Sequence, residues 1–256
     1  MTKLYSKKIL IGYMPSFKAD LLEEIKFAKR HFDFVEMTLK RDLSQYNRKY
    51  LKQVKNILNG FKVLGHIHWE TDLKNPNEMP YIIENIKIFD YLGAKKITIH
   101  PSGDKRLNSE SLRKTYSICK KKGIQLLVEN TMSPPFNNPQ GLKYLLNDNS
   151  KLGITLDIGH ANIKNRDGFK KYVKLFASEI KHIHLHYCRK QKDHLPFFNF
   201  SDLREILTKL NELSKADTIT LEIFNMIEKN KVVPIDGEKR RKIILGQLQM
   251  IKKWVS

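Results

Sequence analysis

The sequence predicts an α/β chain folded as one (β/α)8 TIM barrel spanning residues 1–256. Three observations predict it. Short apolar runs alternate with amphipathic stretches eight times, and successive strand starts lie roughly 30 residues apart, the length of one β-α unit. The chain length of 256 residues matches the ~250 typical of eight such units. The imidazoles and several carboxylates gather at the C-terminal ends of the predicted strands, where barrels of this kind keep their chemistry.

The elements follow in order. Lys8–Met14 is the first strand, rich in Ile and Leu, and Ala19–Arg30 the helix after it. The turn between them, GYMPSFKAD, has one glycine, so it lacks the Gly-rich phosphate turn of a doubly wound dinucleotide sheet. Phe32–Thr38 and the helix Gln45–Leu58 form the second unit, closed by Gly60. Lys62–His68 and Glu78–Leu92 form the third, closed by Gly93; Lys95–His100 and Ser109–Lys122 the fourth, closed by Gly123. A glycine just past each helix is C-cap chemistry, and Asn108-Ser109 is a helix start signal. Ile124–Glu129 precedes Pro139–Leu146, Leu152–Asp157 precedes Arg166–Phe176, and Ile180–His186 precedes Ser201–Leu213, entered through Phe200-Ser201-Asp202. Thr218–Ile223 and Glu238–Trp254 complete the eighth unit.

Composition narrows the function classes. Apolar residues make up 41% and charged residues 29%, a globular balance. No apolar run approaches the ~20 residues of a membrane span. The N-terminal segment lacks a signal-peptide pattern, and two cysteines make no disulfide framework, so a cytoplasmic protein without membrane partners is expected. The net charge of +20 is compatible with nucleic acid, anionic lipid or phosphorylated substrates. Lys outnumbers Arg 37 to 10 and is spread along the chain, which favours solvated outer helix faces over a dedicated phosphate-binding arm.

Eight of the nine histidines fall at or near strand ends: His66, His68, His100, His160, His182, His184, His186 and His194. Glu36, Glu129, Asp157 and Glu222 occupy equivalent places. In Ile180–His186 the period of two puts three histidines on one face and Ile183 and Leu185 on the other. The apolar pair must meet the helices, so the histidines point into the barrel. Imidazole at that density is costly unless hydrogen-bonded or metal-bound. A mixed His/carboxylate set suits divalent Zn, Mn, Co, Fe or Mg. Cys188 lies nearby and is read as a loop thiol.

These motifs resemble the xylose-isomerase-like barrel superfamily, which holds sugar-phosphate isomerases and epimerases and the endonuclease IV type of abasic-site (AP) endonuclease, family 2. The segments that carry the resemblance are GHIHWETDL from Gly65, ITIHPSG from Ile97, LLVENT from Leu126, GITLDIGHAN from Gly153, HIHLHY from His182, KDHLP from Lys192 and TLEIF from Thr220. They span most of the chain in the family's order. The resemblance implies one shared metal set: Glu129, Asp157, His184 and Glu222. In the nuclease branch His66 and His100 join a second metal, and His160 with an Asp-x-His pair a third. His194 matches that pair, but Lys192 stands where its Asp belongs, leaving the third site short of a carboxylate. The Gly-Glu-Gly expected after the His-Leu-Pro stretch is also replaced, by Phe197-Phe198-Asn199.

Three functions are consistent with this reading. The first is a metal-dependent isomerase or epimerase of a small sugar or sugar phosphate, with Glu129 and Glu222 as acid and base and one metal ion, against up to three in the nuclease branch. Glu36, His68, Trp69, His186 and Lys192 are its candidate substrate contacts. Arg189 and Lys190 stand beside them as phosphate candidates. The second is an AP endonuclease, for which DNA is the partner and Trp69 a wedge at the missing base. The third is a non-catalytic metal- or ligand-binding barrel. Oligomeric state is left open, with the Leu195–Phe198 run as lid or subunit contact.

Overall fold

The computed structural model describes residues 9–103, 105–189, 192–229 and 231–255. Eight parallel strands close into a barrel. In chain order they are Leu10–Tyr13, Phe34–Thr38, Lys62–His66, Lys96–Ile99, Gln125–Glu129, Gly153–Asp157, Ile180–Leu185 and Thr218–Leu221. Each pairs with its neighbours in sequence, and the eighth closes on the first through Leu10↔Thr218 to Tyr13↔Leu221. All eight expected strands are present. The Lys8 end of the first and the phosphate candidate Lys190 lie outside the described residues.

The helices sit where the periodicity puts them, with shifted ends. The first runs Leu21–His31, and its start is fixed by Asp20, whose side chain accepts from the Glu23 N–H. The fourth begins at Lys105, ahead of the expected Ser109, because the cap residues Asn and Ser are tolerated inside a helix at small cost. The sixth unit holds two helices: a short one, Ile158–Asn162, then Gly168–Phe176. Two antiparallel hairpins were not foreseen: Tyr187–Arg189 with Lys192–Leu195, and Asn225–Glu228 with Lys231–Pro234. Strands of three or four residues give too short a pattern to read. Both leave C-terminal strand ends, and so they build the rim of the barrel mouth.

Packing explains the barrel's interior. Ile183 and Leu185 are buried against the helix layer, while His182, His184 and His186 are fully buried on the opposite face, as the alternation predicts. Low in the barrel Phe34 fills the space, and a Cβ at Gly12 would stand 2.2 Å from its ring, so the first strand needs glycine there. Lys96 closes the bottom, donating to the Lys181 carbonyl and bonding Asp217. The lysine excess sits outside: Lys26, Lys52, Lys55, Lys87 and Lys114 are exposed on helices. Within the Leu195–Phe198 run, Leu195 and Phe197 are buried and Phe198 is exposed. Among the described residues no helix is long and apolar enough to cross a membrane.

Candidate metal centre and its cavity

The mouth of the barrel holds four buried residues that each offer one ligand atom, all within 4.8 Å of one another: Glu129, Asp157, His184 and Glu222. Glu129 ends the fifth strand and Asp157 the sixth, while His184 projects from the seventh and Glu222 follows the eighth. The local sequence orients them. Asp157 caps the helix Ile158–Asn162, its Oδ1 accepting the His160 N–H at 2.7 Å. Asn130 then locks Asp157 from the neighbouring strand end, accepting its N–H at 2.8 Å and donating to its carbonyl at 2.9 Å.

His184 shows which of its nitrogens faces the cluster. Its Nε2 lies 3.1 Å from both Glu36 oxygens, so Nε2–H donates there. Its Nδ1 is left 3.2 Å from Glu129 Oε1 and 3.1 Å from Glu222 Oε2. Among the described residues neither Nδ1 nor Glu222 Oε2 finds a hydrogen-bond partner, although both are buried. Buried polar atoms without partners are rare and costly. A divalent cation coordinated by these atoms would satisfy them together, so the residues present fit a metal ion.

Electrostatics point the same way. Burial acts to raise the Glu129 and Glu222 carboxyls. His184 and His100 beside Glu129, and His184 and His194 beside Glu222, nevertheless draw both well below the ordinary carboxylate range. Burial lowers His184, but Glu129, Glu36 and Glu222 lift it well above its usual value. The cluster thus gathers carboxylates that call for positive charge, from a proton or from a metal.

Further groups border this set. His66 donates from Nδ1 to the Ile67 carbonyl at 2.8 Å and turns Nε2 to Glu129 Oε2 at 3.1 Å. His100 reaches the same oxygen at 3.1 Å. His160 donates from Nδ1 to the Asn130 carbonyl at 3.1 Å, and its buried Nε2, 3.5 Å from Asp193 Oδ2, finds no hydrogen-bond partner among the described residues. His194 Nδ1 stands 3.1 Å from the same carboxylate. His160, His186, Asp193 and His194 form a second group close enough to share an ion. Neither cysteine joins any such group among the described residues.

Four expectations need correction. In the group of His160, His186, Asp193 and His194 the carboxylate comes from Asp193, not from position 192. His194 has φ 53°, in the left-handed region, and this break in the extended strand lets adjacent Asp193 and His194 turn to one side. Lys192 lies on the hairpin and is not among the side chains lining the cavity. Glu36 does not reach substrate: fully buried below the cluster, it accepts from Thr220 Oγ1 at 2.6 Å and from His182 Nε2 at 2.8 Å as well as from His184. Burial raises this carboxyl, but His184 and His182 hold it well below the usual range. His186 is likewise a support. Its Nδ1 accepts the His194 N–H at 3.1 Å, leaving Nε2–H to donate to Asp157 at 3.0 Å.

Above the cluster opens a cavity of about 490 Å³, reached by His66, His100, His160, His194 and Glu222. Trp69 stands at its wall, stacked on His68 with centroids 4.0 Å apart. Asp193, Asn130 and Thr220 escaped the sequence reading. The Asp-His adjacency and the Glu-Asn-Thr run were the available signals for the first two.

The fold and this arrangement define the class. The family model described as xylose isomerase-like TIM barrel matches residues 25–254, and the chain belongs to that family. No curated protein matches its sequence. Solved structures that resemble it include the D-allulose 3-epimerase of Methylomonas sp. in complex with D-allulose, with TM-score 0.77, 14% identity, and coverage of 97% of this chain and 98% of that one. A D-tagatose 3-epimerase-like protein gives TM-score 0.72 at 21% identity, covering 97% and 100%. The TTHB071 protein of Thermus thermophilus, soaked with ZnCl2, gives 0.65 at 18%, covering 94% and 97%. At these identities the likeness is one of fold.

Proposed function

We propose that the protein is a divalent-metal-dependent isomerase or epimerase of a small sugar or sugar phosphate. The observation that carries the reading is the pair of carboxylates, Glu129 and Glu222, facing each other across His184 at the floor of an open cavity. Proton transfer at a carbon beside a carbonyl needs a base on one side and an acid on the other. A bound divalent ion would polarise that carbonyl and stabilise the charge that develops on its oxygen. Glu129, Asp157, His184 and Glu222 would hold it. The neighbouring imidazoles hold both carboxyls well below the ordinary carboxylate range. The family membership and the sugar epimerases among its structural relatives support this choice.

The test is a panel of ketoses and their phosphates incubated with the Mn-, Co- or Zn-loaded protein. Interconversion is expected for at least one, lost in Glu222→Ala together with bound metal. Full metal content in Glu222→Ala would remove Glu222 from the ligand set.

One observation favours a second reading. The His66/His100 pair on Glu129 and the Asp193 group supply donors for additional ions, and adjacent metals serve phosphodiester cleavage. Two or three ions per chain, with nicking of an abasic-site duplex that His100→Ala abolishes, would replace the isomerase by an AP endonuclease.

A further inference from the structure

A continuous ring wall runs from the rim of the cavity to its floor. Trp69, 46% exposed at the rim, meets Phe17 edge-on at 4.6 Å. Phe17 lies 6.1 Å from Phe224, and Phe224 lies 5.4 Å from His194. His194 belongs to the polar cluster below. Arg240 holds Phe224 from behind, its guanidinium 4.7 Å from the ring centroid and bonded to the carbonyls of Met14 and Ile223. Phe224 is therefore held by a buried cation.

Followed along the wall, the three ring-to-ring steps of 4.6, 6.1 and 5.4 Å trace a path longer than one hexose ring. A sugar head held by the carboxylates and histidines of the floor would leave Phe17 and Trp69 uncovered. The cavity also falls within the ~300–1,000 Å³ that bury larger ligands. Its charge is wrong for phosphate at the rim. Among the described lining residues Lys18 is the one Lys or Arg, and it is exposed, whereas bound phosphate calls for convergent Arg or Lys donors.

We propose that Trp69 and Phe17 form a subsite for a second ring, so that the substrate is a neutral keto sugar glycosidically joined to another ring. This rests on the sugar isomerase or epimerase reading. The apolar face of the appended ring would pack on the indole and phenyl surfaces, as aromatic contacts of this kind do.

The experiment measures binding to the metal-loaded protein by calorimetry, with phenyl β-D-glucopyranoside, methyl β-D-glucopyranoside and fructose 6-phosphate as probes. The phenyl glycoside is expected to bind about tenfold more tightly than the methyl glycoside, the size of one good aromatic contact. Trp69→Ala, at a half-exposed position, should abolish that preference. Equal affinities for the two glycosides, a preference that survives Trp69→Ala, or tighter binding of fructose 6-phosphate would overturn the second-ring subsite while leaving the sugar reading intact. Failure of all three probes to bind would count against both.

Discussion

Glu36 carries no substrate, yet it is the residue on which the metal reading leans most heavily. Its carboxylate fixes the His184 tautomer, which turns Nδ1 toward Glu129 and Glu222. Partners of this kind, one shell out from the ion, are worth about 10–100-fold in metal affinity. Glu36→Gln is accordingly expected to weaken Zn binding by that factor in a chelator competition, with Glu129 and Glu222 untouched. An unchanged affinity would show that His184 is held by packing alone. The sequence put Glu36 at a strand end but not in this role. Its partner His182 is 146 residues away, and no local pattern encodes a contact across the barrel. The four-residue set came through the family resemblance, and the barrel brings its side chains within reach of one another; Asp193 was not read as a member of any set, because a left-handed His194 breaks the alternation of its own short strand.

At the level of elements, the sixth β-α unit does more than connect. The Asp157-Ile158-Gly159-His160 run ends a strand, caps a helix and delivers two candidate ligands in four residues. Gly159 is needed for space. A Cβ there would stand 1.9 Å from the His186 ring, and that ring is held by Asp157 on one side and the His194 N–H on the other. Gly159→Ala is expected to cost about 1–3 kcal/mol, the usual penalty of overpacking, seen as a lower urea midpoint with unchanged slope. Wild-type stability would mean that His186 moves freely, and its support of Asp157 would then be lost. The strands and helices themselves were legible from apolar runs, caps and glycines. The hairpins were not, since their short strands pair only with each other at the rim and bury little.

For the whole molecule, the +20 charge separates from the chemistry. Lys26, Lys52, Lys55, Lys87 and Lys114 lie exposed on outer helices, while the mouth concentrates Glu129, Asp157, Asp193 and Glu222 around buried imidazoles. Crowded buried carboxylates are unfavourable without a compensating cation. Metal at a hundred times its Kd adds about 2.7 kcal/mol, so chelation should lower Tm by roughly 5–10 °C for a chain of this size, and added Zn or Mn should restore it. An identical Tm with and without chelator would mean the cluster binds no ion under those conditions. The proposed function turns on proton transfer between Glu129 and Glu222 on a sugar. Its most direct measurement is NMR of the metal-loaded protein with the ketose panel in D2O. Deuterium is expected at the carbon beside the carbonyl of the ketose that is turned over, and is lost in Glu129→Gln and Glu222→Gln. Turnover without deuterium incorporation at that carbon, or incorporation that persists in both variants, would contradict it.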